Sequence, residues 1–337
     1  MPLDGSLSLT FPLPEGWSEA ERVEDTIDAD GLVLHRVGLA SSSGKDQAVG
    51  SAADWTSSPA MRARFELLER MALLEASRSD GASFVVRSAC GQRVGQLLGK
   101  DAFPVSDDPT RWSYARSNGV ALHADWRRAG ESAVRELVER DRVQRSWLGE
   151  TVPCAVTFDL ASSPLSRARS YSWTAYAFPP ATDTHLAELE VVGVFGFPLT
   201  TEVPLAFGYG ARPTLEEALG AATREAAQLL AFVWGEPIPQ RLPEPEPTPM
   251  AHLERFQFPE MHGILRRWLD GAHARHARRT PSFTASSPLQ LVDLTPPWLE
   301  DGFKVARAVG GPAIPMTFGQ SPFFAHLPPE LRVHPIP

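Results

Sequence analysis

The sequence predicts an α+β fold, on the basis of two kinds of periodic pattern. Strand-like apolar runs occur at positions 31–40, 83–89, 155–161, 187–197 and 205–210. Helical patterns occur at positions 59–77, 126–148, 214–234 and 259–279. The two kinds of element alternate only loosely along the chain, and strand-rich stretches precede helices. This order favours α+β over a doubly wound parallel sheet.

The 337 residues are enough for one large domain or two ordinary ones. Residues 1–25 are rich in turn-forming residues and have little periodicity, so we expect an irregular N-terminal segment there. The proline-dense stretch 237–250 predicts an extended segment. The part of the chain after that stretch is short, which favours a surface connection within one domain. We therefore expect residues 26–337 to form a single domain.

The composition argues against several classes of protein. A net charge of −9 and an isoelectric point of about 5.5 argue against a general binder of nucleic acid or anionic membranes. Two cysteines cannot form a disulfide framework or a four-ligand zinc site, and they are typical of a reduced, cytoplasmic protein. The N-terminus lacks the pattern of a signal peptide, and no apolar run has the length of a membrane span. We expect a cytoplasmic protein that binds neither nucleic acid nor membrane.

One acidic pattern occurs on two of the predicted helices and has a relative on a third. The segments FELLERM and RELVERD share the order Glu-x-x-Glu-Arg. They supply Glu66, Glu69 and Arg70 on the first helix and Glu136, Glu139 and Arg140 on the second. Glu225 and Gln228 have related spacing on the third helix. Any one of these turns alone is typical of a solvated helix face.

The surroundings of these turns favour a buried site instead. Apolar residues lie nearly all the way round the first helix, and Glu225 stands among alanines and leucines on the third. Such helices are usually buried, and buried carboxylates need partners that one arginine cannot supply for two of them. Oxygen-only ligands indicate Mg²⁺, whose shell commonly includes substrate phosphates. Arg70 and Arg140 are suited to phosphate oxygens, so the pattern predicts a nucleoside triphosphate site.

The segment GLASSSGKD, residues 38–46, has the composition of a phosphate loop. Its glycine spacing differs from that of a Walker A motif, and Asp46 stands where Ser or Thr is required. Lys45 or a backbone amide of this flexible segment could still reach a phosphate. An ordinary surface loop is the alternative.

Taken in order, these motifs resemble the YcaO family of ATP-dependent enzymes that modify peptide backbones. The ordered set is SGKD, ELLER, SNGVALH followed by ELVERD, then GYGARPTLEEALGAATREAAQ and a proline-rich end. The resemblance extends approximately from SSSGKD to the end of the chain, and SNG followed by the second Glu-x-x-Glu-Arg is its most specific part. It implies an α+β catalytic domain whose helices present acidic turns to a central site for ATP and Mg²⁺.

The resemblance implies roles for individual residues. The candidate Mg²⁺ ligands or their supports are Glu66, Glu69, Glu136, Glu139 and Glu225. The candidate phosphate contacts are Arg70, Arg140 and Lys45, and the candidate nucleotide contacts are Ser117, Asn118 and Gln228. Arg62 and Ala221 depart from the family pattern, which has a small polar residue and an arginine at these positions.

The resemblance also implies an activity. In azoline-forming members, a Cys, Ser or Thr side chain of a ribosomally made precursor peptide attacks the preceding amide carbonyl. ATP phosphorylates the resulting oxyanion, and phosphate leaves to give a thiazoline or oxazoline. The end VHPIP keeps Pro335 and Pro337 of a proline-alternating tail that lies near the active site in such enzymes, with Val333 in place of its first proline. The tail favours azoline formation, with Pro335 and Pro337 as candidate catalytic residues.

The same resemblance implies other outcomes and a partner. Backbone thioamidation or amidine formation is the enzymatic alternative, and a catalytically degenerate scaffold subunit, motivated by Arg62 and Ala221, is the non-enzymatic one. The chain is short for the family, without room for a fused leader-peptide-binding domain. We therefore expect a separate recognition partner protein, and a homodimer on general grounds only.

Overall fold

The computed structural model describes residues 13–18, 20–78, 81–181, 188–273, 288–325 and 327–336. Within these ranges the strands are β1 (Glu21–Ala29), β2 (Leu32–Ser43), β3 (Asp46–Asp54), β4 (Ser83–Arg87), β5 (Arg93–Leu98), β6 (Trp112–Tyr114), β7 (Val120–His123), β8 (Cys154–Val156), β9 (Tyr171–Ala177), β10 (Glu190–Pro198), β11 (Ala206–Arg212), β12 (Gln290–Asp293), β13 (Lys304–Val309) and β14 (Thr317–Gly319). The helices are α1 (Ala60–Ser77), α2 (Gly99–Ala102), α3 (Trp126–Trp147), α4 (Leu215–Val233), α5 (Pro249–Gln257) and α6 (Pro259–Leu269).

The described strands form antiparallel sheets. Their strand orders are β1-β2-β3, β11-β10-β9-β8, β5-β4-β12-β13-β7 and β14-β6. Every pairing among the described strands is antiparallel, so the prediction of an α+β fold is confirmed. The strands β3, β7 and β11 each lie at an edge of a different sheet.

Three long helices connect the three larger sheets. α1 packs on β2 and β3 of one sheet and on β7 of the next. α3 packs on β7 and β13 and also on β11, and α4 packs on β10 and β11 and returns to β2 and β3. α1 buries Leu67, Leu68 and Met71, and another core forms around Trp147 and Trp268. Each helix therefore bridges two sheets, and the contacts close into a ring.

The helices begin and end close to their predicted positions. α1, α3 and α4 match the patterns 59–77, 126–148 and 214–234 to within one residue at each end. Asp125 caps α3 by accepting a hydrogen bond from the Arg128 amide at 2.9 Å. α6 is shorter than the pattern 259–279, since it ends at Leu269, and residues 274–279 lie outside the described part of the chain. No helix among the described residues has the length and hydropathy of a membrane-spanning segment.

The structure corrects two expectations about connecting segments. β1 begins at Glu21, so the boundary expected at residue 25 falls inside a strand. Because β1 pairs only with β2 and most of its side chains are exposed, the apolar pattern of a strand is missing. α5 begins at Pro249, inside the stretch predicted to be extended. Thr248 caps this helix by accepting from the Ala251 amide at 3.2 Å, and proline is compatible with a first helical turn.

Two glycines let helices approach their strands closely. A Cβ atom on Gly50 of β3 would lie 2.1 Å from the Ala63 carbonyl oxygen and 2.3 Å from the Leu67 amide nitrogen, both in α1. A Cβ atom on Gly208 of β11 would lie 2.2 Å from the Ala226 amide nitrogen in α4. Any side chain at these two positions would therefore push the helix away from the strand edge.

We expect Gly208→Ala to lower the free energy of unfolding by about 3 kcal/mol, because the added methyl group meets helix backbone that cannot move without repacking the core. Gly38→Ala is the matched control, since Gly38 lies in β2 and a Cβ atom there has no neighbour within 4 Å. Chemical denaturation measures the difference between the two variants. Equal stability of the two would contradict the close approach of α4 to β11.

Candidate active site

Backbone amides at two sheet edges hold carboxylates of the facing helices. The Ser51 amide in β3 donates to Oε2 of Glu66 in α1 at 2.9 Å. The Tyr209 amide in β11 donates to Oε2 of Glu225 in α4 at 3.2 Å. An edge strand leaves such amides without a partner strand. Each hydrogen bond therefore gives the unpaired strand amide an acceptor and also fixes the orientation of the carboxylate.

The edge strand β7 holds two carboxylates that come from two different helices. The Leu122 amide donates to Oε2 of Glu69 in α1 at 2.9 Å. The Val120 amide, two positions earlier, donates to Glu136 in α3. Since alternate amides of a strand point to the same side, Glu69 and Glu136 are held along the same edge of β7.

These hydrogen bonds bring the acidic turns of α1, α3 and α4 within electrostatic range of one another. The charge of Glu136 acts on Glu69 on one side and on Glu139 and Glu225 on the other. Glu136 keeps 24% of its side-chain surface exposed and Glu66 keeps 30%. The cluster is thus open to solvent, although surrounding protein displaces much of the water. The five glutamates lie together, and their role as metal ligands stays a prediction.

Burial and mutual repulsion raise the pKa values of three of these carboxyl groups. For Glu69, burial and then the charge of Glu136 raise the pKa to about 8, against the opposing effect of Arg70. For Glu139, burial and then the charge of Glu225 raise the pKa to about 8. Burial raises the pKa of Glu225 to about 7. Without a cation a larger fraction of these groups is protonated near neutral pH than in ordinary glutamates, and a metal ion would displace those protons.

The two arginines of the acidic turns balance one carboxylate each. Arg70 donates to Oε1 of Glu66 at 3.4 Å. Burial lowers the Arg70 pKa, but the charges of Glu66, Glu69 and Glu136 outweigh burial and raise it. Nε of Arg140 lies 3.0 Å from Oε1 of Glu136. The Arg140 Nε–H is not aligned for a hydrogen bond to that oxygen and has no other hydrogen-bond partner within the described residues, so the contact is an ion pair only.

Two further arginines border the cluster, and the acidic motifs do not identify them. Arg307 in β13 is 5% exposed, and burial lowers its pKa to about 10 against the opposing charge of Glu136. It donates to the Arg116 carbonyl, and its Nε has no hydrogen-bond partner within the described residues. Arg212 at the end of β11 interacts with the charge of Glu139. The one sequence signal for Arg307 is a cation inside the apolar run KVARAV.

A cavity of about 600 Å³ opens beside Arg307. Apolar side chains, among them Leu97, Leu137 and Met316, form much of its wall. Asn118 also lines the cavity, and its buried Oδ1 has no hydrogen-bond partner in the part of the chain that the structure describes. A wall that combines apolar side chains with several polar groups is compatible with a ligand site of this volume.

The loop 310–316, which forms one side of the cavity, is held by a buried ion pair. Asp141 accepts from the Ile314 amide at 2.8 Å and from Nε of Arg145 at 2.9 Å. Arg145 also donates to the Pro312 carbonyl. Because both charged side chains are buried and hydrogen-bonded to the loop, they fix its position relative to α3.

The structure does not bring Lys45 to the acidic cluster. Lys45 is exposed in the hairpin turn between β2 and β3, where Arg78 donates to the Ser43 carbonyl at 2.9 Å. Arg78 follows the last turn of α1 and lies about 18 Å along the helix axis from Glu66. The segment SSSGKD is therefore a β-hairpin turn at the opposite end of α1, and its position does not support a phosphate contact.

The other predicted residues lie nearer the cluster. Ser117 precedes Asn118 at the cavity, and Gln228 follows Glu225 by one turn of α4. Pro335 is buried, and its carbonyl accepts a hydrogen bond from the Tyr209 hydroxyl at 2.9 Å. Pro337 lies outside the described residues.

The donor set fits Mg²⁺ bound together with a phosphate group. For Glu69 and Glu225 the backbone amide takes Oε2, which leaves Oε1 as a ligand atom. In Glu66 the Ser51 amide takes Oε2 and Arg70 contacts Oε1 at 3.4 Å. Within the described ranges, no three His, Cys, Asp or Glu side chains are arranged as a complete metal site. Mg²⁺ commonly binds one or two carboxylates and completes its shell with water and phosphate oxygens. The Nε of Arg307, which has no hydrogen-bond partner in the described part of the chain, is a donor available to an anion, and its guanidinium interacts with the charge of Glu136.

Comparison with known families agrees with these cofactors. A family model described as YcaO cyclodehydratase, ATP- and Mg²⁺-binding, matches residues 101–309. The matched range includes α3 and α4 and extends to Arg307. The family resemblance and the predictions of ATP and Mg²⁺ as cofactors are therefore confirmed. No curated protein matches the chain.

Solved structures share the fold at low sequence identity. YcaO from Methanopyrus kandleri, bound with AMPPCP and Mg²⁺, has a TM-score of 0.58 at 18% identity, over 86% of this chain and 84% of that one. A heterocyclase in complex with substrate and cofactor has a TM-score of 0.58 at 15% identity, over 94% of this chain and only 54% of that one. The E. coli microcin synthetase McbBCD complex with pro-MccB17 bound contains a chain with a TM-score of 0.57 at 11% identity, over 86% of this chain and 87% of that one.

Without divalent cations, we expect Glu139→Gln to stabilise the protein at pH 8 by about 1–3 kcal/mol, because it removes one crowded charge and keeps the side-chain shape. The folded-state pKa of Glu139, about 8, lies above its ordinary value of 4.5. Its contribution to stability is therefore present below about pH 4.5 and lost as the pH rises to about 8. Thermal unfolding in a chelator across this range should show a flatter pH dependence for the variant.

Glu131→Gln is the matched control on the same helix. Glu131 is exposed and pairs with Arg127 at 3.0 Å on the surface, so its replacement should change stability by less than about 0.5 kcal/mol. A Glu139→Gln protein that is less stable than the native protein at pH 8 would contradict the repulsive cluster.

Proposed function

The chain belongs to the YcaO family, and on that premise we propose that it is an ATP- and Mg²⁺-dependent cyclodehydratase of a ribosomally synthesised precursor peptide. The observation that carries this proposal is the acidic cluster of α1, α3 and α4, which strand-edge amides orient. A cation would stabilise the ionised form of such a cluster, and a cation with few protein ligands leaves positions for phosphate oxygens.

The glutamates are the proposed Mg²⁺ ligands or their supports. They are Glu66, Glu69, Glu136, Glu139 and Glu225. Their amide hydrogen bonds orient the carboxylates before the cation binds, so little reorganisation is needed when charge develops. Bound Mg²⁺ would neutralise charge on the phosphoryl group as it is transferred.

The arginines and nearby polar residues are the proposed nucleotide contacts. Arg70, Arg140 and Arg307 would bind phosphate oxygens, which match the planar guanidinium group. The Nε atoms of Arg140 and Arg307, which donate no hydrogen bond within the described residues, support this role. The remaining candidate contacts are Ser117, Asn118 and Gln228.

The proposed reaction removes one water from the peptide and consumes one ATP. A Ser or Thr hydroxyl or a Cys thiol of the peptide loses its proton and bonds to the preceding amide carbon. The amide oxygen takes the γ-phosphoryl group of ATP. The carbon–oxygen bond then breaks, the amide nitrogen loses its proton, and a C=N bond forms. Phosphorylation is required because the amide oxygen is otherwise a poor leaving group, and ADP and phosphate are the coproducts.

We place the reacting segment of the peptide in the cavity beside Arg307. The cavity adjoins the acidic cluster through Arg307, whose guanidinium interacts with the charge of Glu136. Its apolar wall suits the side chains that flank the reacting residue. The loop 310–316, fixed by Asp141 and Arg145, would hold that wall in place.

Delivery of the peptide is proposed to depend on a separate recognition protein. The heterocyclase complex with substrate and the microcin synthetase complex with pro-MccB17 support a peptide substrate and protein partners. We propose that Pro335 and Pro337 adjoin the active site and that the protein acts in the cytoplasm, as a monomer or homodimer within such a complex.

A degenerate scaffold subunit is the second candidate function. Arg62 donates to the Ala53 carbonyl at 2.8 Å and pairs with Asp54 at 2.6 Å. Ala221 is buried against Gly210 and carries no charge. Neither residue supplies a polar group to the acidic cluster, and this favours a subunit with low activity toward ATP. Backbone thioamidation or amidine formation remains the enzymatic alternative.

Mass spectrometry of the precursor peptide, incubated with the protein, its recognition partner and MgATP, tests the reaction. We expect loss of one water for each modified residue, with release of ADP and phosphate. Replacement of oxygen by sulfur would identify thioamidation. ATP turnover without loss of water would contradict azoline formation.

Glu136→Gln should lower the rate of water loss at least about 100-fold, because Glu136 acts on both sides of the acidic cluster. Glu131→Gln, on the exposed surface of the same helix, should keep the rate within about twofold of the native protein. Equal rates for the two variants would place the chemistry elsewhere in the complex and favour the scaffold function.

A further inference from the structure

The free edge of β5 presents backbone donors to solvent. β5 lies at the end of its sheet, and β4 is its only partner strand within the described residues. The Gly99 amide donates to the Ala82 carbonyl at 2.7 Å, in register with the pairs of β4 and β5. Because alternate amides of an antiparallel strand point to the same side, the amides of Gln96 and Leu98 point away from β4.

The two faces of β5 have different surroundings. Side chains alternate along a strand, so Gly95 and Leu97 share one face, and Gln96 and Leu98 share the other. Leu97 lines the cavity of about 600 Å³. Leu98 is 52% exposed, although its side chain is apolar. An added strand would therefore have one face toward the cavity and the other beside an exposed apolar side chain.

The edge of β5 is continuous with the rim of the cavity. β5 ends at Leu98, and α2 begins at the next residue. Lys100 and Asp101 of α2 line the cavity together with Leu97. On the same face, a Cβ atom at Gly95 would have only Val86 within 4 Å, at 4.0 Å. A chain that extends along β5 therefore reaches the cavity over a part of the strand that no side chain at position 95 fills.

A single extended peptide fits this surface better than a folded partner. β5 has six residues, of which Gln96 and Leu98 supply the outward amides. A standard protein interface covers about 800 Å² of each partner, which is more than one short strand edge supplies. A peptide that adds to a strand edge gains main-chain hydrogen bonds there, and its alternate side chains enter neighbouring pockets.

We propose that the free edge of β5 binds the precursor peptide as an added strand and leads its reacting segment into the cavity. Alternate side chains of the peptide enter the cavity beside Leu97, and the others pack beside Leu98. The edge selects extended segments with an apolar residue at every second position, and it rejects proline where the peptide N–H faces β5. The identity of the peptide as a precursor rests on the proposed function.

Fluorescence anisotropy with a synthetic peptide tests the added strand without nucleotide or recognition protein. The probe is fluorescein-labelled Gln-Val-Ser-Val-Ser-Val-Gln, and N-methylation of either its valine amides or its serine amides gives two matched probes. One of these should bind at least about tenfold more weakly than the unmodified probe, and the other within about threefold of it, since only one edge of the peptide faces β5. Equal loss for both, or no saturable binding of the unmodified probe, would overturn the inference.

Leu98→Pro removes one outward amide from the protein itself. The φ angle of Leu98 is −69°, which proline adopts without strain. Leu98→Ala is the matched control, because it keeps the amide while it also removes the leucine side chain. Leu98→Pro should bind the unmodified probe about fivefold more weakly than Leu98→Ala does. Equal affinity of the two variants would contradict the added strand. If Leu98→Pro does not fold, Gln96→Pro and Gln96→Ala make the same comparison.

A second copy of the chain and the recognition protein are the other occupants that the same variants test. Sedimentation measures the oligomeric state, and calorimetric titration measures the affinity for the recognition protein. If Leu98→Pro changes either quantity relative to Leu98→Ala and leaves binding of the probe unchanged, β5 is a protein interface and the inference is wrong.

Binding of the probe requires neither ATP nor Mg²⁺, so failure of the inference differs from failure of the proposed function. Period-two binding of the probes without loss of water from the precursor peptide would support the peptide edge and refute the proposed reaction. Loss of water with equal kcat/KM in Leu98→Pro and Leu98→Ala would support the reaction and overturn the inference.

Discussion

The hydrogen bond between a strand-edge amide and a buried glutamate is the constraint on which the architecture of the site depends. An edge strand has unpaired amides, and a carboxylate in a protein cleft needs donors. The structure meets both needs together at Glu66, Glu69, Glu136 and Glu225. Because β3, β7 and β11 belong to three different sheets, these bonds also set where α1, α3 and α4 lie relative to one another.

The cluster is unfavourable by itself, and the surrounding packing offsets its cost. Crowded carboxylates repel one another, and burial weakens the solvent screening that would reduce the repulsion. Close packing of α4 on β11 at Gly208 and the apolar side of α1, through Leu67 and Leu68, hold the helices against this repulsion. A bound cation would relieve it, so metal binding and stability are linked through the same residues.

Sequence patterns reveal the glutamates of the site but not the backbone amides that donate hydrogen bonds to them. α1, α3 and α4 are predictable because apolar periodicity and caps are local properties. β3, β7 and β13 are short or rich in alanine and glycine, and their pairing is set by residues far apart in the chain, so neither the edge amides nor Arg307 could be found from spacing. Lys45 is predicted at a site that it does not reach, because a glycine hairpin turn and a phosphate loop have similar composition.

Glu136 explains why the cluster acts as a unit. Its charge raises the pKa of Glu69 on α1, and it also raises the pKa values of Glu139 and Glu225. It interacts as well with the charge of Arg307 at the cavity. A cation that neutralises Glu136 therefore makes ionisation easier on both sides of the cleft. Since such coupling is reciprocal, ionisation of the carboxylates on either side of Glu136 raises the affinity of the cluster for a cation.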